Sequence, residues 1–183
     1  LLITIDDPTV VEGDSGTVNL TYTVSLDAAA SETVTVDFAT VAGGTALAGT
    51  DFASPQSGTV TFLAGSTSET FTISITPDNL DEVDETVFVD LSNARFDGAV
   101  DASRVEISDD RGVGTIQDDD HTPVANAGGA YTINEGSSVT LDASATTDAD
   151  VPADTLTYSW TINGNAAAAT GVGPTLTLSL IHI

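Results

Sequence analysis

The chain has 183 residues, 40 % of them hydrophobic, and a formal net charge of −25 from 28 acidic residues set against three basic ones. That length allows one or two domains, the apolar fraction argues against a disordered acidic tail, and no run of about 18 apolar residues reads as a membrane span. The charge disfavours nucleic acid and anionic headgroups and leaves cations as the natural counterparts, while the absence of cysteine removes disulfides and thiolate metal sites.

Apolar residues alternate with threonine and serine almost throughout, which predicts strands. "TVNLTYTVSL" places Val18, Leu20, Tyr22, Val24 and Leu26 on one face, and "TVTVDF" does the same with Val34, Val36 and Phe38. Val60 and Phe62 follow, then Phe71, Ile73 and Ile75, then Val87, Val89 and Leu91, then Val105 and Ile107, and "GVGTI" closes the series. Turns rich in Gly, Asp, Asn and Ser separate the runs. About seven short strands before Asp120 predict an antiparallel β-sandwich.

The register restarts after Asp120. Residues 121–125 read as a linker in which Pro123 blocks continued ladder pairing. A second set of strands is expected in "SSVTLDAS", "TLTYSWTI" and "PTLTLSL" within residues 126–183. The fold class expected is therefore all-β, tandem antiparallel β-sandwiches of immunoglobulin-like kind, the second incomplete. The start at Leu1 and the short second unit both lead us to expect a piece of a longer protein. Residues 178–183, "LSLIHI", coincide with the translation of a sequencing-library transposon adapter and are expected to be an assembly artefact, an ordinary apolar strand being the alternative; His182 is given no role.

Catalysis has little to stand on. "GDSG" at residues 13–16 resembles a serine nucleophile loop, but the nucleophile needs a histidine base. The one eligible histidine, His121, lies in the linker, and Thr17 replaces the protease's second glycine. No phosphate loop or His/Cys metal spacing occurs, and an EF-hand beginning at Asp148 fails at Pro152 and Ala153. Acids instead cluster at turns between strands: Glu12 and Asp14, Asp51, the series Asp78, Asp81, Glu82, Asp84 and Glu85, and finally Asp118, Asp119 and Asp120. Alternate loops of a sandwich gather at one end, so these carboxylates could converge on a hard cation. Calcium, which takes six to eight oxygens at about 2.3–2.6 Å, is the natural candidate. Solvated loop acids are the bland alternative.

The ordered stretches "EGDSG", "GTALAGTDF", "SGTVTFLAGSTSETFTISI", "DNLDEVDETVFVDLSN" and "GTIQDDD" make residues 1–120 resemble the Calx-beta domain, the regulatory calcium-binding sandwich of sodium–calcium exchangers. The resemblance implies calcium as cofactor and a ligand set of Glu12, Asp51, Asp78, the backbone carbonyl of Leu80, Glu82, Glu85, Asp118, Asp119 and Asp120. Pro77 and Asn79 stand where the exchanger's sensing domain has acids, which implies fewer ions and weaker binding. Residues 123–177 resemble the start of a PKD domain, carried by "PVANAGGAYTINEGSSVTLDAS" and by Tyr158 and Trp160; "NGN" replaces that family's Gly-Asp-Gly turn. By that resemblance Asn126, Asp148 and Asp150 form a second, speculative calcium site.

These resemblances imply a non-catalytic, calcium-binding module of a large extracellular or cell-surface protein. Calcium would rigidify the junction with neighbouring domains for adhesion or cell communication, with a cell-surface protein or glycan as partner and without membrane insertion. The alternatives are an accessory region of a secreted hydrolase and an inert acidic spacer.

Overall fold

The computed structural model describes residues 1–53, 56–150, 155–162, 165–166 and 173–179. The chain divides into two compact units, Leu1–Asp120 and His121–Ile183. Every regular element among the described residues is a β-strand, and none of them belongs to a helix long and apolar enough to cross a membrane.

Unit 1 contains β1 (Leu2–Ile5), β2 (Thr9–Val11), β3 (Val18–Leu26), β4 (Val34–Val41), β5 (Ser57–Phe62), β6 (Ser68–Ile75), β7 (Glu85–Phe96), β8 (Glu106–Ile107) and β9 (Arg111–Gln117). They form a four-stranded sheet ordered β6-β3-β1-β8 and a five-stranded sheet ordered β2-β9-β7-β4-β5. The alternation read from the sequence is the core. Leu20, Tyr22, Val24, Leu26, Ile73 and Ile75 are buried from one sheet, and Val34, Val36, Val60, Phe62, Val87, Val89 and Leu91 from the other. Val105 is buried as expected but lies just before β8 rather than within a strand.

Two short strands escaped the sequence pattern. β1 pairs antiparallel with β3 and parallel with β8, whereas β2 pairs parallel with β9 in the opposite sheet, so the sandwich is not purely antiparallel. The crossing is made at Asp6-Asp7-Pro8. Pro8 has no N–H to continue a ladder, and its carbonyl accepts from Thr115 N at 2.9 Å. The two aspartates take over as backbone partners: Asp6 Oδ1 accepts from Thr23 N and Asp7 Oδ1 from Val113 N, each at 2.7 Å.

In β9 the inward positions are Gly112, Gly114 and Ile116. A Cβ on Gly112 would lie 2.8 Å from the Tyr22 ring, and one on Gly114 would overlap the Tyr22 hydroxyl and Leu20 Cδ2. The glycines make room for a buried tyrosine whose hydroxyl donates to Val87 O at 2.9 Å.

Unit 2 contains β10 (Ser138–Asp142), β11 (Thr161–Ile162), β12 (Asn165–Ala166) and β13 (Thr175–Ser179). β10 pairs antiparallel with β13, and β11 with β12. Of the expected strand over "TLTYSWTI", only Thr161 and Ile162 are strand; Thr155–Trp160 have no ladder. Trp160 is half-buried, with an indole N–H that is enclosed and unbonded. Two residues of the expected linker bond within unit 2: Val124 exchanges backbone hydrogen bonds with Thr147, at 2.8 and 3.2 Å, and His121 Nδ1 lies 3.0 Å from Asp150 Oδ1. Within "LSLIHI", Leu178 and Ser179 pair with Val139 and Ser138; the last four residues, and Asn163 and Gly164 of "NGN", lie outside the described residues.

Candidate metal centre

The parallel β2–β9 pairing sets Val11 opposite Gln117, so the residues that follow each strand emerge together. Glu12 N donates to Gln117 O at 2.9 Å and Gly13 N to Asp119 Oδ1 at 2.7 Å. That places Glu12 beside the Asp118–Asp120 triplet across more than a hundred residues of sequence. β7 starts at Glu85, opposite Ile116, so its first residue faces the end of β9. The preceding loop is held to the triplet by Glu82 N donating to Asp118 Oδ2 at 3.2 Å and by Asp118 N donating to Asp84 Oδ1 at 3.3 Å. Asp51 arrives from the loop after β4: its Oδ2 accepts from Leu47 N at 2.6 Å, and its carbonyl accepts from Thr76 N at the end of β6 at 3.0 Å.

Asp51, Glu82 and Glu85 thereby offer carboxylate oxygens that all lie within 4.8 Å of one another. Two oxygens on opposite sides of a calcium ion at about 2.4 Å are about 4.8 Å apart, so the spacing is of the size that a single ion bridges. An all-oxygen donor set without imidazole or thiolate suits a hard cation and not zinc or copper. The remaining expected ligands surround this trio. Asp78 Oδ1 is turned back to Leu80 N at 2.9 Å, which shapes the loop, and the Leu80 side chain is 60 % exposed. Glu12 and Asp120 are the buried charged residues of the described chain, at 8 % and 6 % exposure.

The electrostatics are those of a site built without its own counter-ion. Burial first, and then the charges of Asp78, Glu82, Asp51 and Asp118, push the Glu12 carboxyl from 4.5 up to about 7. Glu85 is pushed to about 7 by burial, by a hydrogen bond shared with Asp51, and by the charges of Asp51, Glu82 and Glu12. Glu82 is raised as well, by lost solvation and by Asp78, Asp51 and Asp118. All three arginines are engaged elsewhere. Arg95 pairs with Asp37 at 3.0 Å, Arg111 pairs with Asp90 at 2.7 Å, and the Arg104 guanidinium lies 3.8 Å over the Phe96 ring. The chain has no lysine, so no lysine or arginine offsets the cluster.

In unit 2 two of the three expected residues touch. Asp150 N donates to Asp148 Oδ1 at 3.2 Å, and the Asp150 carboxylate faces His121. Asn126 instead closes a local turn, its Oδ1 accepting from Gly128 N at 2.9 Å. Asp84, one of the converging loop acids though outside the ligand set that the resemblance implies, acts here as the acceptor that holds Asp118 N.

A β-sandwich that gathers carboxylates from four separate segments at one end is the architecture of a hard-cation module. Residues 2–111 match the Calx-beta domain, and the chain belongs to that family, whose domains are calcium-binding modules of the sodium–calcium exchanger type. Among solved structures it is similar to CBD12 from CALX1.2, with a TM-score of 0.53 and 27 % identity over 66 % of this chain and 45 % of that one. It is also similar to the calcium binding domain CBD12 of CALX1.1, with a TM-score of 0.50 and 23 % identity over 75 % and 55 %. A third likeness is the Calx CBD2 domain, with a TM-score of 0.52 and 16 % identity over 63 % and 85 %. The last two speak for the fold alone. The chain thus spans about half the length of the CBD12 structures, and the family match does not extend to the PKD-like residues. No curated protein matches the sequence.

Proposed function

We propose that this chain is a non-catalytic calcium-binding module in which Asp51, Glu82 and Glu85 hold an ion at the acidic end of unit 1, with Glu12, Asp78, the Leu80 carbonyl and Asp118–Asp120 completing and flanking the shell. The observation that carries this reading is the approach of three carboxylates to within 4.8 Å with no basic side chain among them. Such an arrangement costs stability unless a cation enters it. The chain leaves unit 1 through Asp118–Asp120, so an ion there would fix the course of the backbone toward a PKD-like second module. We read the module as part of a large exported surface protein with a cell-surface protein or glycan as partner, a reading that a stiffened junction would suit.

Calcium titration tests the reading. Extracellular modules bind calcium at about 10⁻⁴–10⁻³ M. A hundredfold excess over the dissociation constant adds about 2.7 kcal/mol, which raises Tm by on the order of 10 °C. Glu82→Ala together with Asp119→Ala removes the calcium-specific part of the rise. A rise no larger than sodium chloride gives at equal ionic strength means an inert acidic spacer.

A further inference from the structure

A reciprocal pair of threonines ties the loop after β4 to the start of β7. Thr86 N donates to Thr45 Oγ1 at 2.8 Å, and Thr45 N donates to Thr86 Oγ1 at 3.1 Å, with the two hydroxyl oxygens 3.4 Å apart. Ala46 N adds a bond to Thr86 O at 3.1 Å. Gly44 permits this approach, since a Cβ there would overlap Thr86 O. Thr86 directly follows Glu85. On the other side the tie passes through Leu47, whose N–H donates to Asp51 Oδ2 at 2.6 Å and whose carbonyl accepts from Thr50 N and Asp51 N at 3.2 and 3.1 Å. The threonines thus connect the two segments that bring Asp51 and Glu85 within 4.8 Å.

Side-chain packing does less to hold that approach. A cavity of about 300 Å³ opens between the loop and β7, lined by Val41, Ala46, Leu47, Phe52, Val87 and Phe88 among others. A void supplies no partner atoms to the side chains around it, so it leaves the loop room to move. Once ionised, Asp51 and Glu85 repel each other, which drives the loop away from β7 unless hydrogen bonds oppose it.

We infer that Thr45 and Thr86 are positioning residues of the calcium site, their reciprocal hydrogen bonds holding Asp51 beside Glu85 before the ion arrives. This rests on the calcium reading above and names what presets that same site. Neither threonine belongs to the ligand set; both act through the carboxylates. When the loop is free to leave β7, only the molecules with the carboxylates assembled bind, and the apparent affinity falls by that fraction. Loss of either hydroxyl frees the same loop, so the two substitutions act as one.

The test is calorimetric titration of calcium into the full 183-residue chain, with thermal melts of the same samples in chelator. Thr45→Val and Thr86→Val should each weaken calcium binding about tenfold. Thr45→Ser and Thr86→Ser keep the hydroxyl and should stay within about twofold of the parent. The double valine variant should bind calcium about as weakly as the weaker single one. Thr45 is exposed, so Thr45→Val should melt in chelator within about 3 °C of the parent; a merely structural role lowers that Tm and leaves the dissociation constant alone. Should Thr86→Val melt far lower, the Thr45 variants decide. Valine variants that bind calcium within about twofold of the parent overturn the inference and leave calcium binding standing. A double variant weakened by the product of the two singles overturns the reciprocal pair. No calcium-specific heat and no calcium-specific rise in Tm for the unsubstituted chain overturns both readings.

Discussion

Glu12 and Glu85 make the stability of the calcium-free protein depend on pH in an unusual direction. Both carboxyls are raised from 4.5 to about 7 in the folded chain, so between those values the folded state holds protons that the unfolded state has released. The stability these two groups contribute is then fully present below about pH 4.5 and is lost as pH rises through 7. Asp37 works oppositely, but its carboxyl, held at about 2 chiefly by its hydrogen bond to Arg95, acts only below its ordinary 3.8. In chelator, Tm should drop by on the order of 8 °C from pH 5 to pH 7.5, corresponding to about 2 kcal/mol, because the two glutamates share one field and do not add independently. Calcium should flatten or reverse that slope, since it binds the ionised forms and expels the protons. Glu12→Gln should raise the calcium-free Tm at pH 7.5 and weaken calcium binding about tenfold. A calcium-free Tm that climbs from pH 5 to 7.5 would contradict this account. The sequence showed that Glu12 was acidic and lay in a turn; only the β2–β9 register, which puts it beside Asp118, shows why it is buried among like charges.

At the scale of the strand, β9 joins the core to the site. Its inward glycines admit Tyr22, and its last residue leads directly into the aspartate triplet. Gly114→Val drives side-chain carbons into Tyr22 and Leu20, and should cost about 3 kcal/mol while also weakening calcium binding, because the strand cannot shift without moving Asp118. Tyr22→Phe keeps the packing but leaves Val87 O without its buried donor; about 1–2 kcal/mol should be lost with the calcium response intact. Chemical denaturation with and without calcium separates the two outcomes. This element also marks the limit of pattern reading. In β3, β4, β6 and β7, β-branched and aromatic residues alternate with hydroxyl residues, and the buried face could be read directly. In "GVGTI" the apolar Val113 lies off the core face while Gly112 and Gly114 face inward, because the volume of Tyr22, on another strand, decides what fits. β1 and β2 carry little pattern of their own, being four and three residues long, and each takes a parallel partner from the far end of the unit, β8 and β9. The acidic loops were legible as loops, whereas their convergence depended on which strands pair.

At the scale of the whole molecule, the described residues of the two units differ in how much apolar surface they bury. Twenty apolar residues of unit 1 are buried in one continuous core, whereas Ala143 and Leu176 are the buried apolar residues described in unit 2. Units of about 60 residues are marginal even with a complete core. The two-stranded ladders β10–β13 and β11–β12 resemble the isolated pairings that are weak in water. Heating should therefore produce two transitions and not one. The lower belongs to unit 2, and its mid-range chemical shifts and hydrogen-exchange protection disappear first. The upper belongs to unit 1. Every member of the close carboxylate trio lies in unit 1, so calcium should raise the upper transition by on the order of 10 °C and leave the lower one within about 2 °C of its calcium-free position. Calorimetry with calcium and with chelator reads both. If both transitions rise together, ions bound at Asp118–Asp120 couple the stability of the second unit to the first, and the junction transmits more than a fixed chain direction. If the lower transition alone responds, the functional ion sits in unit 2, near Asp148 and Asp150, and the assignment to Asp51, Glu82 and Glu85 is wrong.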